Sequence, residues 1–235
     1  MRKIGFSTGA IAYSDFRRGV EILRRKRVTF IELSALRQHE LSPLVTALDE
    51  LDLRTFEYVS VHAPSRIDTG TETKVLALLE KVLERRWPIV VHPDVVTDFR
   101  AWRRFGDLLL VENMDKRKNC GRTVQELEAV FENLPEANLC LDLGHAQQVD
   151  TTMTEAKLIL NRFRSRLRQL HLSEVSTSHT HNPLSIESTL AFQNISADIP
   201  VDIPVILESR VRPEEVEDEI AFARRALPVA LGTRV

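Results

Sequence analysis

Short apolar segments alternate with longer amphipathic segments along the whole chain, and this alternation is the feature that most restricts the possible folds. Eight apolar segments, such as Tyr58–His62 (YVSVH) and Asn138–Asp142 (NLCLD), are each followed by a segment of helical character. The apolar residues of Thr71–Arg86 follow the 3.6-residue period of a helix. The strand-like segments are almost continuously apolar, which is typical of parallel strands buried on both faces. The pattern therefore predicts eight βα units.

Eight units of about 30 residues predict an α/β fold, a single compact (β/α)8 TIM barrel, with one domain over residues 1–235. A doubly wound open sheet is the main alternative, and it normally carries a G-x-G-x-x-G turn after its first strand. The residues after the first predicted strand read Thr8–Ala10 (TGA) and lack that pattern. The sequence therefore favours the barrel.

Two helix starts can be predicted from capping residues. Ser42 and Pro43 are the residue types preferred at the N-cap and at the first helical position, so we expect a helix from Pro43 to Leu53. Thr123 and Glu126 form the T-V-Q-E pattern of a capping box. We expect a second helix to begin there.

Composition and charge exclude several classes of protein. The chain is 43% hydrophobic with a formal net charge of −2, which argues against a disordered chain and against a strongly basic nucleic-acid binder. Its two cysteines, Cys120 and Cys140, cannot form a disulfide framework. The first residues contain no long apolar region of a signal peptide, and no segment approaches the ~18 apolar residues of a membrane helix. We therefore expect a cytoplasmic protein.

Histidines and acidic residues recur at the ends of the predicted strands. They are Glu32, His62, His92, Glu112, Asp142, His171 and Glu208, followed in the adjoining loops by His145, His179 and His181. The carboxyl ends of all strands in a parallel barrel open at the same mouth, so we expect these side chains to converge. Crowded carboxylates repel one another unless a cation holds them together. The arrangement predicts a metal centre.

Nine of these residues, without Glu32, are our candidate metal ligands. They are His62, His92, Glu112, Asp142, His145, His171, His179, His181 and Glu208. Imidazole and carboxylate bind zinc, and also manganese or iron. One ion needs fewer ligands than this, so we expect two or three divalent ions, with zinc as the first choice. Glu112 and Glu208 are the candidate catalytic residues.

The motifs VHAPS, VVHPD, VENMD, LDLGHA, LHLSE, HTH and ILES resemble those of the xylose isomerase-like TIM-barrel superfamily. That superfamily contains the endonuclease IV-type apurinic endonucleases and many sugar isomerases and epimerases. The resemblance covers nearly the whole chain. It implies the barrel fold and a metal-dependent activity.

The endonuclease branch holds three zinc ions, and the resemblance implies a ligand set for each. His62, His92 and Glu112 would hold the first ion, with Glu112 bridging. Glu112, Asp142, His171 and Glu208 would hold the second, and His145, His179 and His181 the third. The branch usually has D-x-H where this chain has His179-Thr180-His181, which leaves His179 and Glu174 as alternatives there. The epimerase branch uses one metal, and Glu112, Asp142, His171 and Glu208 match its ligands too.

Two reactions fit these residues. In the first, metal ions activate a water that hydrolyses a phosphoester or a related anionic small molecule. In the second, Glu112 and Glu208 move a proton of a sugar or sugar phosphate through an enediolate. His62, His92 and His181 are unnecessary for the second reaction, so they favour the first. A barrel that binds metal without catalysis, or that uses iron for oxidative chemistry, is a third class.

Basic residues follow several predicted strands and suggest an anionic substrate. We name Arg66, Lys116 and Arg210 as candidate substrate contacts, although a rim of ordinary salt bridges would show the same pattern. The loops after the second and third predicted strands are short and contain no aromatic wedge. A small-molecule substrate is therefore favoured over nucleic acid, and the oligomeric state is left open.

Overall fold

Eight parallel strands close into a barrel in the computed structural model, which describes residues 2–178 and 180–229. The barrel strands are β1 (Ile4–Ser7), β2 (Phe30–Ser34), β3 (Tyr58–His62), β4 (Ile89–Val91), β5 (Leu109–Glu112), β6 (Asn138–Asp142), β7 (Leu167–Leu172) and β10 (Val205–Leu207). Their order around the barrel is β1-β10-β7-β6-β5-β4-β3-β2. The predicted (β/α)8 barrel is confirmed.

Helices connect the strands and cover the outside of the barrel. The α-helices are α1 (Thr8–Ala12), α2 (Phe16–Arg25), α3 (Gln38–Ala47), α4 (Glu72–Leu83), α5 (Phe99–Trp102), α6 (Val124–Asn133), α7 (Leu143–Val149), α8 (Thr154–Arg162), α9 (Ile186–Ser196) and α10 (Val216–Ala226). Short 3-10 helices lie at Pro93–Val95, Arg103–Leu108, Arg164–Arg166 and Pro213–Glu215. No helix within the described ranges has the length and apolar character needed to cross a membrane.

One of the two predicted helix starts is wrong. Helix α3 begins at Gln38 and ends at Ala47, so Pro43 lies inside it and the expected extension to Leu53 is absent. The Glu40 carboxylate accepts a hydrogen bond from the backbone N–H of Arg37 (3.0 Å), which stabilises the earlier start.

The other predicted start is confirmed. The Thr123 hydroxyl accepts a hydrogen bond from the backbone N–H of Glu126 (3.3 Å) at the beginning of α6. The Glu126 carboxylate accepts from the N–H of Arg122 (2.7 Å), one residue earlier than a capping box requires.

A small hairpin stands beside the carboxyl end of the barrel. Strands β8 (Glu174–Val175) and β9 (His181–Asn182) pair antiparallel directly after β7. Helix α7 packs closely against this hairpin at Gly144, where a Cβ atom would lie 2.5 Å from the carbonyl oxygen of Ser173. A glycine is therefore needed for the approach that places the hairpin next to α7.

Candidate metal centre

Strand register places the predicted side chains at one level of the barrel. His62, Glu112 and Asp142 are the last residues of β3, β5 and β6. His92 and Glu208 directly follow β4 and β10, and His171 is the second-last residue of β7. Together with His145 and His181 these six residues form what we call the histidine–carboxylate centre. It lies at the carboxyl end of the strands, where TIM barrels carry their functional residues.

Glu112 is the middle of this centre, and four imidazoles face its carboxylate. Its Oε2 lies 3.1 Å from Nε2 of His62 and 3.2 Å from Nε2 of His92. Its Oε1 lies 3.1 Å from Nδ1 of His171 and 3.3 Å from Nδ1 of His145. Glu112 is fully buried. One carboxylate therefore joins side chains from four different βα units.

Asp142 has two functions in the local structure. It is the N-cap of α7, because its Oδ1 accepts a hydrogen bond from the backbone N–H of His145 (2.6 Å). Its Oδ2 takes no part in the cap and lies 3.6 Å from Nδ1 of His145. This buried oxygen has no hydrogen-bond partner among the described residues. The cap orients the carboxylate so that its second oxygen is available to a ligand.

Glu208 connects the centre to the hairpin. Its Oε1 lies 3.6 Å from Nδ1 of His171, and its Oε2 lies 3.3 Å from Nδ1 of His181. Nδ1 of His181 is also 2.9 Å from the hydroxyl of Ser173. About 11% of the Glu208 side chain is exposed, so this acid reaches the cavity above the centre.

Burial and crowding shift the pKa values of the acids in opposite directions. Burial raises the pKa of Glu208 to about 7, and the negative charges of Glu112 and Asp142 contribute. Burial likewise raises the pKa of Asp142. Burial would also raise the pKa of Glu112, but His171 and His92 hold it well below its usual value.

The imidazoles are perturbed as strongly. Burial lowers the pKa of His62 and His145, but nearby carboxylates prevail and raise it to about 9 for His62 and about 10 for His145. Burial and the charge of His145 lower the pKa of His181 to about 3. The metal-free centre therefore keeps protons on His62 and His145 at neutral pH, and a cation would have to displace them.

The donor atoms fit divalent cations. Three groups of side chains in the described part of the chain each bring their ligand atoms within 4.8 Å of one another. Two of them contain only predicted ligands: His62, His92 and Glu112, and Glu112, Asp142, His171 and Glu208. The third group is Glu32, His62, His171 and Glu208. Nitrogen and carboxylate oxygen donors of this kind suit zinc, manganese or iron. The first two of these groups coincide with the first two ligand sets that the resemblance implies.

The third predicted set is brought together only in part. The rings of His145 and His181 have their centroids 5.5 Å apart, whereas His179 lies outside the described residues. The alternative ligand Glu174 accepts a hydrogen bond from the backbone N–H of Ser185 (3.1 Å). It lines a groove beside the centre rather than the central cavity.

A cavity of about 210 Å³ opens above the centre and contains Arg210. The other two predicted substrate contacts line other grooves, Arg66 one that also includes Ser65, and Lys116 one that also includes Glu174. The guanidinium of Arg210 lies over the ring of Tyr13, 5.6 Å from its centroid. In the described ranges no carboxylate pairs with Arg210.

The other cations at this cavity are already paired. Arg117 contacts Asp115 at 2.5 Å, and Lys118 contacts Asp94 at 2.5 Å. Of the three predicted substrate contacts, Arg210 is therefore the one placed to meet a ligand in the cavity.

Glu32 lies deeper in the barrel than its predicted position at a strand end. Strand β2 continues to Ser34, and the register pairs Ser34 with His62 and Glu32 with Ser60. Glu32 consequently lies one layer below the strand ends, fully buried, with its Oε2 3.1 Å from Nε2 of His171. Glu32 belongs to the predicted pattern of acids near strand ends, but the apolar segment alone does not show at which residue β2 ends.

No family model and no curated protein matches this sequence. Solved structures do match. Endonuclease IV from Thermus thermophilus has 21% identity and a TM-score of 0.62, covering 96% of this chain and 98% of its own. The 3-keto-D-glucoside 4-epimerase YcjR from E. coli has 15% identity and a TM-score of 0.59, covering 95% and 99%.

A xylose isomerase-like TIM barrel protein from Mycobacterium smegmatis, solved in complex with magnesium, has 13% identity and a TM-score of 0.58. It covers 97% of this chain and 98% of its own. Similarity at this level of identity concerns the fold. The chain shares the TIM-barrel fold of these structures, as the resemblance of its motifs predicts.

Proposed function

We propose that this protein is a metal-dependent hydrolase that cleaves a phosphoester or a related anionic small molecule, with two or three divalent cations, zinc first, in the histidine–carboxylate centre. The observation that carries the proposal is the set of four imidazoles around the single carboxylate of Glu112. A one-metal isomerase site needs a smaller set. The two oxygens of Glu112 face different imidazoles, so Glu112 would belong to the ligand sets of two ions.

The ligands follow from the two groups of converging donors. His62, His92 and Glu112 would hold one ion, and Glu112, Asp142, His171 and Glu208 a second. His145 and His181 would serve a third with His179. Cations bound there would lower the pKa of a water and offset the negative charge of a phosphoryl group.

The protein's own side chains would contribute binding and proton transfer. Glu208 reaches the cavity, where its carboxylate would accept a proton from an attacking water. Glu112 is fully buried and is better placed to hold the centre together than to touch substrate. Arg210 would attract the anionic group of the substrate.

A sugar isomerase or epimerase is the second candidate. Glu112, Asp142, His171 and Glu208 converge as a group that could hold a single metal. The E. coli structure of the same fold is an epimerase, and the M. smegmatis structure contains magnesium. In this alternative Glu208, which reaches the cavity, would exchange a proton with the sugar, whereas the burial of Glu112 argues against its predicted share in that step.

Metal analysis combined with a substrate panel separates these candidates. Metal-free protein is titrated with Zn²⁺ and with Mn²⁺, and the loaded forms are assayed on aryl phosphate monoesters and diesters, on ketose sugars and on a duplex containing an abasic site. Two or three equivalents of metal with phosphoester hydrolysis support the proposal. One equivalent with sugar conversion supports the alternative. The absence of metal binding would contradict both.

The abasic duplex tests the size of the substrate. We expect it to be cleaved poorly or not at all, because the loops at the mouth are short. Efficient cleavage would show that the substrate is DNA instead of a small molecule.

Arg210→Gln should raise KM for an anionic substrate roughly 10- to 100-fold while kcat changes little, because a charge-assisted contact is lost on binding. Arg212→Gln is the matched control, since Arg212 is exposed and paired with Glu215. Steady-state kinetics of both variants measure the effect. An unchanged KM in Arg210→Gln would exclude Arg210 as a substrate contact.

A further inference from the structure

A second layer of polar side chains lies inside the barrel below the histidine–carboxylate centre. Oε2 of Glu32 accepts hydrogen bonds from the hydroxyl of Ser60 (3.1 Å) and from Nε2 of Gln169 (2.7 Å). The hydroxyl of Tyr58 donates to Oε1 of Gln169 (2.6 Å), which orients the amide. Glu32, Ser60 and Gln169 are fully buried. These four residues, Glu32, Ser60, Gln169 and Tyr58, form what we call the lower polar layer.

His171 is the side chain that joins the two layers. Its Nε2 lies 3.1 Å from Oε2 of Glu32, and its Nδ1 lies 3.1 Å from Glu112 and 3.6 Å from Glu208. A neutral imidazole has one N–H donor and one nitrogen lone pair, and an ionised carboxylate only accepts. Without metal, Nδ1 lies 3.1 Å from a carboxylate of Glu112 that only accepts, so it carries a proton directed to that acid. A metal ion would displace this proton, and the proton on Nε2, directed to Glu32, would then leave the Nδ1 lone pair for the metal.

The neighbouring amide is compatible with a proton on Nε2 of His171. Nε2 of Gln169 lies 2.8 Å from Nε2 of His171, too close for two donors unless both point to a common acceptor. Oε2 of Glu32 is within 3.1 Å of both nitrogens and is that acceptor. Oε2 of Glu32 thus accepts hydrogen bonds both from the lower polar layer and from His171.

Packing alone does not account for an acid at this position. The nearby interior of the barrel is apolar at Val90, Leu110 and Cys140. A buried carboxylate is costly to desolvate unless its partners compensate, and an apolar residue of similar volume would avoid that cost. A specific task for the carboxylate explains its presence better than space filling.

We propose that Glu32 is a positioning residue that holds the Nε2 proton of His171 and thereby directs the Nδ1 lone pair of His171 into the metal centre. Metal-binding histidines commonly donate their second ring N–H to a carboxylate, and loss of that partner weakens metal affinity about 10- to 100-fold. The inference rests on the proposed metal centre and adds to it a residue outside the nine predicted ligands.

The test compares Zn²⁺ affinity of metal-free wild type, Glu32→Gln and Glu32→Leu by competition with a chromophoric chelator. Glutamine keeps an acceptor oxygen without the charge, whereas leucine removes the acceptor. We expect weaker binding of roughly 10-fold in Glu32→Gln and more in Glu32→Leu, with the same number of ions at saturation. The visible spectrum of the Co²⁺ forms should change as well, because the orientation of His171 changes.

Ser60→Ala is the matched control. It removes another donor to the same oxygen of Glu32 without touching His171, so its Zn²⁺ affinity should stay within about two-fold of wild type. Circular dichroism and thermal unfolding of the metal-free proteins check that each variant folds. If Glu32→Leu does not fold, the affinity and Co²⁺ spectrum of Glu32→Gln carry the comparison.

Two results would overturn the inference while leaving the proposed function intact. Wild-type Zn²⁺ affinity in a folded Glu32→Gln protein would show that Glu32 does not position His171. The loss of a whole equivalent of metal at saturation would show that Glu32 is itself a ligand, as the converging group of Glu32, His62, His171 and Glu208 permits. Failure of the wild type to bind metal would instead overturn the proposed function, and this inference with it.

Discussion

Zn²⁺ added to the metal-free protein should raise its melting temperature by roughly 10 °C. A ligand that binds only the folded state stabilises it by about 4 kcal/mol at a free concentration 1,000 times its Kd. For a chain of this length, 1 kcal/mol corresponds to about 2 to 4 °C. The physical source is the crowding of Glu112, Asp142 and Glu208, whose mutual repulsion a cation removes.

The Zn²⁺-induced shift should be larger at pH 8 than at pH 6. The pKa values of about 9 for His62 and about 10 for His145 mean that both carry protons in the metal-free centre. Zinc binds the neutral imidazole, so binding releases protons and weakens as the pH falls. Differential scanning fluorimetry at the two pH values, with and without Zn²⁺, measures the effect.

Matched histidine variants identify where the zinc binds. His92→Ala should lose much of the Zn²⁺-induced shift, because His92 lies 3.2 Å from the central carboxylate. His39→Ala should keep the full shift, because His39 is exposed on α3. Equal shifts in both variants would place the bound zinc outside the histidine–carboxylate centre and contradict the proposed site.

Glu208→Gln should lower kcat/KM by about 10²- to 10⁴-fold on the substrate that the panel identifies, which is the usual contribution of a general acid or base. The same loss is expected for hydrolysis and for sugar isomerisation, since both require proton transfer by this acid. The assay is performed at saturating metal, with bound metal counted in parallel. Full turnover in Glu208→Gln would exclude Glu208 as the catalytic acid or base.

Stability separates this catalytic effect from misfolding. Folding raises the pKa of Glu208 from 4.5 to about 7, so its negative charge destabilises the metal-free protein at pH 8, above both values. Glutamine removes that charge, and the metal-free variant should be at least as stable as wild type at pH 8. Glu214→Gln is the control for activity and stability, because Glu214 is an exposed acid after the same strand.

A helix start was predicted correctly from sequence where a capping hydrogen bond joins residues close together in the chain. Thr123 caps α6 as expected, because its hydroxyl reaches an N–H three residues away in any such helix. Pro43 misled the prediction of α3, because the contact between Glu40 and Arg37 starts the helix earlier. A proline near a helix start is compatible with more than one boundary.

The convergence of strand-end histidines and acids could be predicted for a similar reason. Histidines and acids at the ends of apolar strands must meet once the strands are parallel and closed into a barrel, whatever the details of packing. Glu32 was the exception, because one extra pair of residues at the end of β2 moved it a full layer down. The residues of the lower polar layer follow no regular spacing in the sequence. Neither the layer nor its contact with His171 could therefore be predicted.

The sequence by itself determined that this chain is a βα-repeat protein whose imidazoles and carboxylates gather at one mouth, because alternation of apolar and amphipathic segments is a local property of the residues. Only the tertiary structure decided the layer of Glu32, the pairing of Arg117 with Asp115, and the freedom of Arg210 from such a partner among the residues it describes. Strand register and side-chain pairing depend on the closure of the barrel as a whole, and short-range patterns do not encode that closure.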